Sequence, residues 1–381
     1  MRRLKVIHLI GSMDLGGAEK LTRLTIEGLD PGRFEGAVCC LKAGGVYADQ
    51  LRAAGHPVTV LLNVDKHAGV PPQRLLVAAW RLFRYLRRER PDILHTHLFA
   101  TSVLGRVIAK LAGTRRIVVT MHRIEYPRLQ PWIERLLRPL TDLYITDSHA
   151  AAGRLSTALG VPLEQITVIY NGIDRAEFAS PPSRSEARRG LEIPRAACVI
   201  GVIAHLYEEK GHRFLLHALA RVRKPLGDFQ LLVVGDGYLR QPLEAEAAQL
   251  FPDGNVRFLG QRGDLANLLA AMDLFVLPSS WEGFGIILAE AMYMRVPVIT
   301  TSDGGGCAEV VAENEGGWRV PYGDETALGE ALLRCRADAA RLREQGERGR
   351  QRVERLFSAE AMALQYMSAY DAVADTREKR P

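Results

Sequence analysis

The sequence predicts an α/β protein made of two doubly wound, parallel-sheet domains. Three observations lead there. The chain has 381 residues, more than one compact core of ~100–200 residues requires. Short β-branched apolar runs alternate with longer helical stretches, and the series occurs twice. Between the two series lies a Pro-, Ser- and Arg-rich stretch with no apolar period.

The first series offers strands at Leu4–Ile10, Ala37–Leu41, Val58–Leu62, Asp92–His95, Arg116–Thr120, Leu143–Thr146 and Ile166–Ile169. Helical spacing fills most of the gaps, as in Glu19–Leu29, where Leu21, Leu24 and Leu29 share one face. The second series offers Cys198–Ala204, Gln230–Val234, Val256–Leu259, Leu274–Leu277 and Val298–Thr301. Continuous apolar strands between helices are the mark of parallel sheets covered on both faces. The segment Phe178–Arg195, with Pro181, Pro182 and Pro194, reads as the linker. Expected domains are therefore 1–178 and 179–357, followed by a helix over 358–376 that carries Met362, Leu364, Met367 and Tyr370 at helical spacing. Ligands of such folds bind beyond the carboxyl ends of the strands, so a cleft between the domains is the expected site.

Composition narrows the functional classes. Hydrophobic residues make up 47% and charged residues 25%, the balance of a globular chain. Lys5 and His8 break the first apolar run, which argues against a membrane span or a leader peptide. Five cysteines without a C-x-x-C pair (Cys39, Cys40, Cys198, Cys307, Cys335) exclude a disulfide framework and fit a reducing, cytoplasmic setting. Charge is uneven: residues 1–180 hold 25 Lys and Arg against 16 Asp and Glu, net +9, and the remainder is net −3. A basic first half calls for an anionic partner, whether membrane, phosphorylated substrate or nucleic acid.

Candidate chemistry sits on the strand-to-helix loops. Gly11–Lys20, with Gly16 and Gly17 before a helix, is a close-approach loop without the lysine of a P-loop. His95, His97 and His122 lie at strand ends. A zinc site is set aside because no carboxylate or cysteine ligand accompanies them. His95 suits a buried structural role, while His97 and His122, beyond the last apolar residue, suit polar contact with substrate. In the second half, Lys210 follows a strand and precedes a helix, where an ammonium either neutralises a diphosphate or stays solvated. Glu282-Gly283-Phe284-Gly285 opens a helix whose amides suit a phosphate or sugar oxygen. Glu290 then falls in an otherwise apolar turn, and a carboxylate there needs donors such as the hydroxyls of a ribose.

Together, Gly16-Gly17-Ala18-Glu19, Val168-Ile-Tyr-Asn171-Gly172-Ile-Asp174, His205-x4-Lys210-Gly211 and Glu282-x7-Glu290 resemble retaining GT-B glycosyltransferases, nearest to glycosyltransferase family 4. The likeness runs along essentially the whole chain. It implies two Rossmann-like domains facing a central cleft, with the C-terminal helix completing the first. It further implies that a nucleoside diphosphate sugar binds mainly to the second domain. Glu290 would hold the ribose, Lys210 the diphosphate, and Glu282 with the Gly283, Phe284 and Gly285 amides the transferred sugar. Gly16 and Gly17 would approach from the other domain, with His97 and His122 beside sugar and acceptor. The family usually carries arginine where this chain has His205, and an imidazole is not a permanent bidentate phosphate clamp.

The resemblance implies transfer with retained configuration to a hydroxyl of a glycan, glycolipid or related acceptor, in envelope or exopolysaccharide synthesis. A UDP-sugar is the first expectation and a GDP-sugar the second. The sequence holds no Asp-x-Asp, so no metal and no cofactor are expected. Two basic amphipathic segments, Trp80–Arg90 and Arg128–Leu140, suit peripheral contact with anionic lipid. Nucleic acid is not expected, since no binding module accompanies the charge. The alternatives are a sugar-nucleotide epimerase of the same fold and a catalytically silent nucleotide-sugar binder.

Overall fold

A computed structural model of the chain describes residues 2–65, 69–122, 130–194 and 196–375. It divides into two compact units, Met1–Gly172 with Ala359–Pro381, and Ile173–Ser358.

The first unit is a seven-stranded parallel sheet in the order β3-β2-β1-β4-β5-β6-β7. Along the chain it runs β1 (Leu4–Ile10), α1 (Gly17–Glu27), β2 (Phe34–Cys40), α2 (Val46–Ala53), β3 (Val58–Val60) and α3 (Pro72–Glu89). It continues through β4 (Ile93–His97), α4 (Phe99–Ala112), β5 (Arg116–Thr120), α5 (Gln130–Leu137), β6 (Leu143–Thr146), α6 (His149–Leu159) and β7 (Ile166–Val168). The order reverses direction at β1, and right-handed crossovers then place the helices on opposite faces. Ile7, Leu9 and Leu94 pack with Leu82 of α3, Ala109 of α4 and Leu155 of α6. Ile10 and Val38 pack the other way, against Ile26 of α1 and Ala48 of α2.

Side chains alternate along a strand, so His8, His95 and His97 point away from the α3–α4 face. The parallel register sets His8 opposite His95. The helix over the C-terminal segment, Ala359–Asp375, packs on α1 and buries Tyr366 and Tyr370.

The second unit repeats the plan with order β10-β9-β8-β11-β12-β14-β13. Its elements are α7 (Arg184–Gly190), β8 (Cys198–Ile203), α8 (His212–Leu226), β9 (Phe229–Val234), α9 (Arg240–Leu250), β10 (Val256–Gly260) and α10 (Leu265–Ala271). Then follow β11 (Leu274–Leu277), α11 (Ile286–Tyr293), β12 (Val298–Thr301), α12 (Cys307–Val310), β13 (Ala312–Glu313) and β14 (Gly316–Val320). Helices α13 (Glu325–Ala337) and α14 (Ala339–Leu356) close the unit, and the C-terminal helix is α15. All five cysteines are buried and free. Among the described residues no helix is long and apolar enough to cross a membrane.

Three expectations are corrected. The units part at Gly172/Ile173 and Ser358/Ala359, not at 178/179 and 357/358. The expected linker instead holds α7, opened by a reciprocal cap between Ser183 and Glu186. Arg188 within it is buried, donating to Asp273 at 2.6 Å and to the carbonyls of Ala271 and Ala197; only Arg195 of that stretch lies outside the described residues. Strands β13 and β14 were not expected, because Gly316 and Gly317 weaken any strand signal. The pairing demands a glycine there: a Cβ on Gly317 would stand 2.0 Å from the Val298 carbonyl oxygen.

Candidate active site

In the second unit three loops at the carboxyl ends of β8, β11 and β12 lock together. Gly211 has φ +69°, and a Cβ there would stand 2.0 Å from the carbonyl oxygen of Pro278, so only glycine lets the first two loops touch. The Ser280 amide donates to Glu209 O at 2.8 Å. From the other side the Glu282 amide donates to Gly304 O and the Gly306 amide to Glu282 O, at 2.9 and 3.0 Å. A side chain on Gly306 would overlap the Gly283 carbonyl. Thr301 Oγ1 donates to Ser279 O at 2.6 Å.

This frame joins two of the predicted residues. Lys210, ending a 3-10 turn at Glu208–Lys210, places Nζ 2.8 Å from Glu282 Oε1, and Ser279 Oγ donates to the same oxygen at 2.8 Å. Both side chains are more than four-fifths covered. An ammonium has three protons, so this contact leaves two for another anion. Gly285, at φ +79°, is the N-cap of α11. Phe284 anchors the loop by burying its ring edge-on against Phe357 at 5.2 Å. Glu290 is buried in α11, as its apolar neighbours require.

His205 is exposed, stacked on Tyr207 at 5.3 Å, and Tyr207 stacks on Tyr238 at 5.1 Å. His212, one residue beyond Gly211, is buried. Burial, with Lys210 acting the same way, lowers it to about 4 and keeps it neutral.

In the first unit, Gly17 faces open space, while the Glu19 carboxylate folds over the position a Gly16 side chain would take. His97 lies differently from the expectation. Strand β4 runs through it, leaving the side chain buried, with Nε2 3.0 Å from His8 Nδ1 and Nδ1 3.1 Å from His122 Nε2. His122 is half-buried at the end of this row. His95 is buried as expected, bonded to Tyr370 OH at 2.7 Å and to Thr120 Oγ1 at 2.6 Å. Tyr370 OH also reaches His8 Nε2 at 3.4 Å. Burial holds every ring neutral, with His8 lowered to about 3, His122 to about 4, and His95 and His97 well below the ordinary range. His8, Thr120 and Tyr370 were missed. The available signal was the period-two match of His8 to His95 across adjacent strands. His8, His95 and His97 each offer a ring nitrogen, and these lie within 4.8 Å of one another.

Comparison with known proteins adds to this geometry. Residues 15–177 match the family described as Glycosyltransferase Family 4, and residues 183–352 match Glycosyl transferases group 1. A Corynebacterium glutamicum GDP-mannose-dependent monoacylated alpha-(1-6)-phosphatidylinositol monomannoside mannosyltransferase is 30% identical over 67% of this chain and 69% of its own length. The chain belongs to glycosyltransferase family 4. A UDP-Gal:alpha-D-GlcNAc-diphosphoundecaprenol alpha-1,3-galactosyltransferase of Escherichia coli is 26% identical over 88% of this chain and 89% of that one. The crystal structure of Anabaena Alr3699/HepE in complex with UDP superposes with a TM-score of 0.81 at 24% identity, covering 97% of this chain and 100% of the other. This family 4 glycosyltransferase therefore has the GT-B fold. The Lys210–Glu282 loop lies within the stretch matched to group 1, and His95, His97 and His122 lie within the stretch matched to family 4.

Proposed function

We propose that the enzyme moves a glycosyl group from a nucleoside diphosphate sugar to a hydroxyl of a glycan or lipid-linked acceptor in envelope or exopolysaccharide synthesis. Configuration is retained and no metal is needed. A UDP-sugar is the first choice of donor and a GDP-sugar the second. The observation that carries this reading is the Lys210–Glu282 pair, 2.8 Å apart at the glycine-bracketed start of α11.

In this mechanism the bond from the anomeric carbon to the diphosphate oxygen breaks as the acceptor oxygen bonds to the same face. The acceptor proton passes to the departing diphosphate. Charge grows on that leaving group, and Lys210 with the amides opening α11 is preorganised to meet it. Glu282 holds Lys210 and the sugar hydroxyls and forms no covalent bond. Glu290 takes the ribose. The relatives supply both donor precedents, since one is named for UDP-Gal and one for GDP-mannose. The absence of Asp-x-Asp from the sequence supports metal-free chemistry.

A thermal-shift panel of UDP, GDP, ADP and TDP tests the reading. The correct nucleotide at 100 times its dissociation constant adds about 2.7 kcal/mol, and slow release of nucleotide from the matching sugar donor follows. Four nucleotides without any shift refute it. A shift without turnover favours the silent binder, to which the exposed His205 would point.

The acceptor side favours a membrane-borne substrate. Helices α3, α4 and α5 are neighbours on one face of the first sheet. They expose Leu76, Trp80, Leu111, Trp132 and Leu136, with Arg84 over the Trp80 ring and Arg135 over the Trp132 ring. Arg128 and Leu129 of the expected segment lie outside the described residues. Arg87, Arg90 and Arg115 line an adjoining cavity of about 330 Å³. Apolar side chains among arginines suit an anionic bilayer, at ~1 kcal/mol per basic residue near the surface. Vesicles containing phosphatidylglycerol are expected to bind the protein at low salt, and Trp80→Ser with Trp132→Ser to bind at least about tenfold less, as lost burial of two indoles requires. Equal binding to neutral vesicles would remove the electrostatic part of the proposal.

A further inference from the structure

In the first unit, the segments leading into β1, β4 and β5 surround a cavity of about 330 Å³ whose lining includes Arg2, Arg87, Arg90 and Arg115. A volume of this size takes a small ligand. His97 and His122 sit at the opposite, carboxyl end of the same sheet, about 16 Å away along β4. The cavity is therefore separate from the histidine row.

The charge in this lining is not balanced. Asp92 is its acidic residue, and that carboxylate is taken. Arg2 Nη2 donates to its two oxygens at 3.1 and 3.2 Å, and the Lys5 amide donates to Oδ2 at 3.0 Å. The side chains of Arg87, Arg90 and Arg115 are exposed and, among the described residues, have no hydrogen bond, ion pair or ring contact. Arginines at the ends of α3 and α4 ordinarily bond the last carbonyls, and these three do not. Arg88 shows the ordinary outcome, donating to Glu89 at 2.8 Å and lying over the Tyr85 ring. Thr114, also in the lining, is buried, and its hydroxyl has no hydrogen-bond partner among the described residues. A buried hydroxyl left so is costly.

Three unspent guanidiniums, each a planar fork of N–H donors, match the oxygens of a phosphate, and the unpartnered hydroxyl is a further donor. We propose that this cavity is a phosphate-binding site, distinct from the donor loops, in which Arg87, Arg90 and Arg115 pair with the oxyanion and the Thr114 hydroxyl donates to it. The site goes beyond the transferase reading and does not depend on it. Two sources share this chemistry: a soluble phosphate ester and the headgroup of an anionic lipid. Exposed Trp80 lies two turns before Arg87 on α3, and exposed Leu111 three residues before Thr114, so the cavity adjoins apolar surface that lipid chains would meet.

The test is a ³¹P NMR titration of the full chain with inorganic phosphate, at an ionic strength held constant with chloride so that screening is equal. Arg90→Gln with Arg115→Gln is expected to weaken phosphate at least about tenfold, as loss of two charge-assisted hydrogen bonds requires. Both side chains are exposed and unbonded, so the fold is not at stake. Thr114→Val removes the buried hydroxyl and is expected to weaken phosphate while melting no lower than wild type. Lys210→Ala is expected to keep this binding, since it alters only the donor loop. Phosphate affinity unchanged in either cavity variant overturns the proposal, as does binding abolished by Lys210→Ala or no binding of phosphate at all. Vesicles of phosphatidylglycerol in phosphatidylcholine separate the two sources. Release of the protein by inorganic phosphate, with loss of vesicle binding in the arginine variant, assigns the site to a headgroup. Vesicle binding indifferent to both assigns it to a soluble ester.

Discussion

Lys210→Ala is expected to lower turnover of the sugar nucleotide by about 10²–10³-fold, the usual loss when one preorganised donor to a developing oxyanion is removed. The size follows from the setting. Lys210 is held at the loop junction by Gly211 and by Glu282, so its charge is in place before the leaving group forms. Removing it also leaves the Glu282 carboxylate with Ser279 as its remaining side-chain hydrogen-bond partner among the described residues, at a cost to stability of about 1 kcal/mol. Lys210→Arg restores charge but not a compact ammonium, and it should recover only part of the rate. Because Lys210 and Glu282 touch, losses from Lys210→Ala and Glu282→Gln should fall short of adding in the double variant. Steady-state rates of the four proteins decide this; full additivity, or near-normal turnover by Lys210→Ala, removes Lys210 from the leaving-group site.

Arg106→Met is expected to destabilise the first unit by about 3–5 kcal/mol, which lowers its melting temperature by about 10 °C at ~2–4 °C per kcal/mol. Arg106 on α4 and Glu134 on α5 form an ion pair of 2.7 Å with both side chains fully buried. Arg106 also donates from Nε to Ser102 O at 3.1 Å. Glu134 Oε2 is buried without a hydrogen-bond partner among the described residues, so the carboxylate depends on the guanidinium. Taking the arginine away strands that charge. Replacing both partners, as Arg106→Met with Glu134→Leu, should return most of the stability, because desolvation is no longer opposed by half a pair. Thermal melts followed by circular dichroism check both statements; a single variant melting within about 2 °C of wild type would contradict the burial of this pair.

Much of this protein was legible locally. Strands β1, β5, β6, β11 and β12 begin and end where the apolar runs do, because a parallel strand buried on both faces must be apolar throughout. Lys210, Glu282 and Glu290 were each visible, because a charged group at a glycine-rich helix start or inside an apolar turn needs a reason. Where tertiary pairing overrode composition, local reading failed. Arg188 looked like solvated linker, yet it is buried on Asp273, a partner 85 residues away. Gly316–Val320 was not among the expected strands and forms β14 through its pairing with β12.

By itself the sequence determined the two parallel-sheet series, the loops that bear the chemistry and the family they belong to, since those rest on periodicity and on residue types along the chain. Only the tertiary structure decided that Lys210 meets Glu282 across 72 residues and that Tyr370 of α15 closes a histidine chain begun at His8. A hydrogen bond is set by distance and direction between atoms, and those are fixed by sheet register and helix docking, to which residues far apart in sequence contribute together.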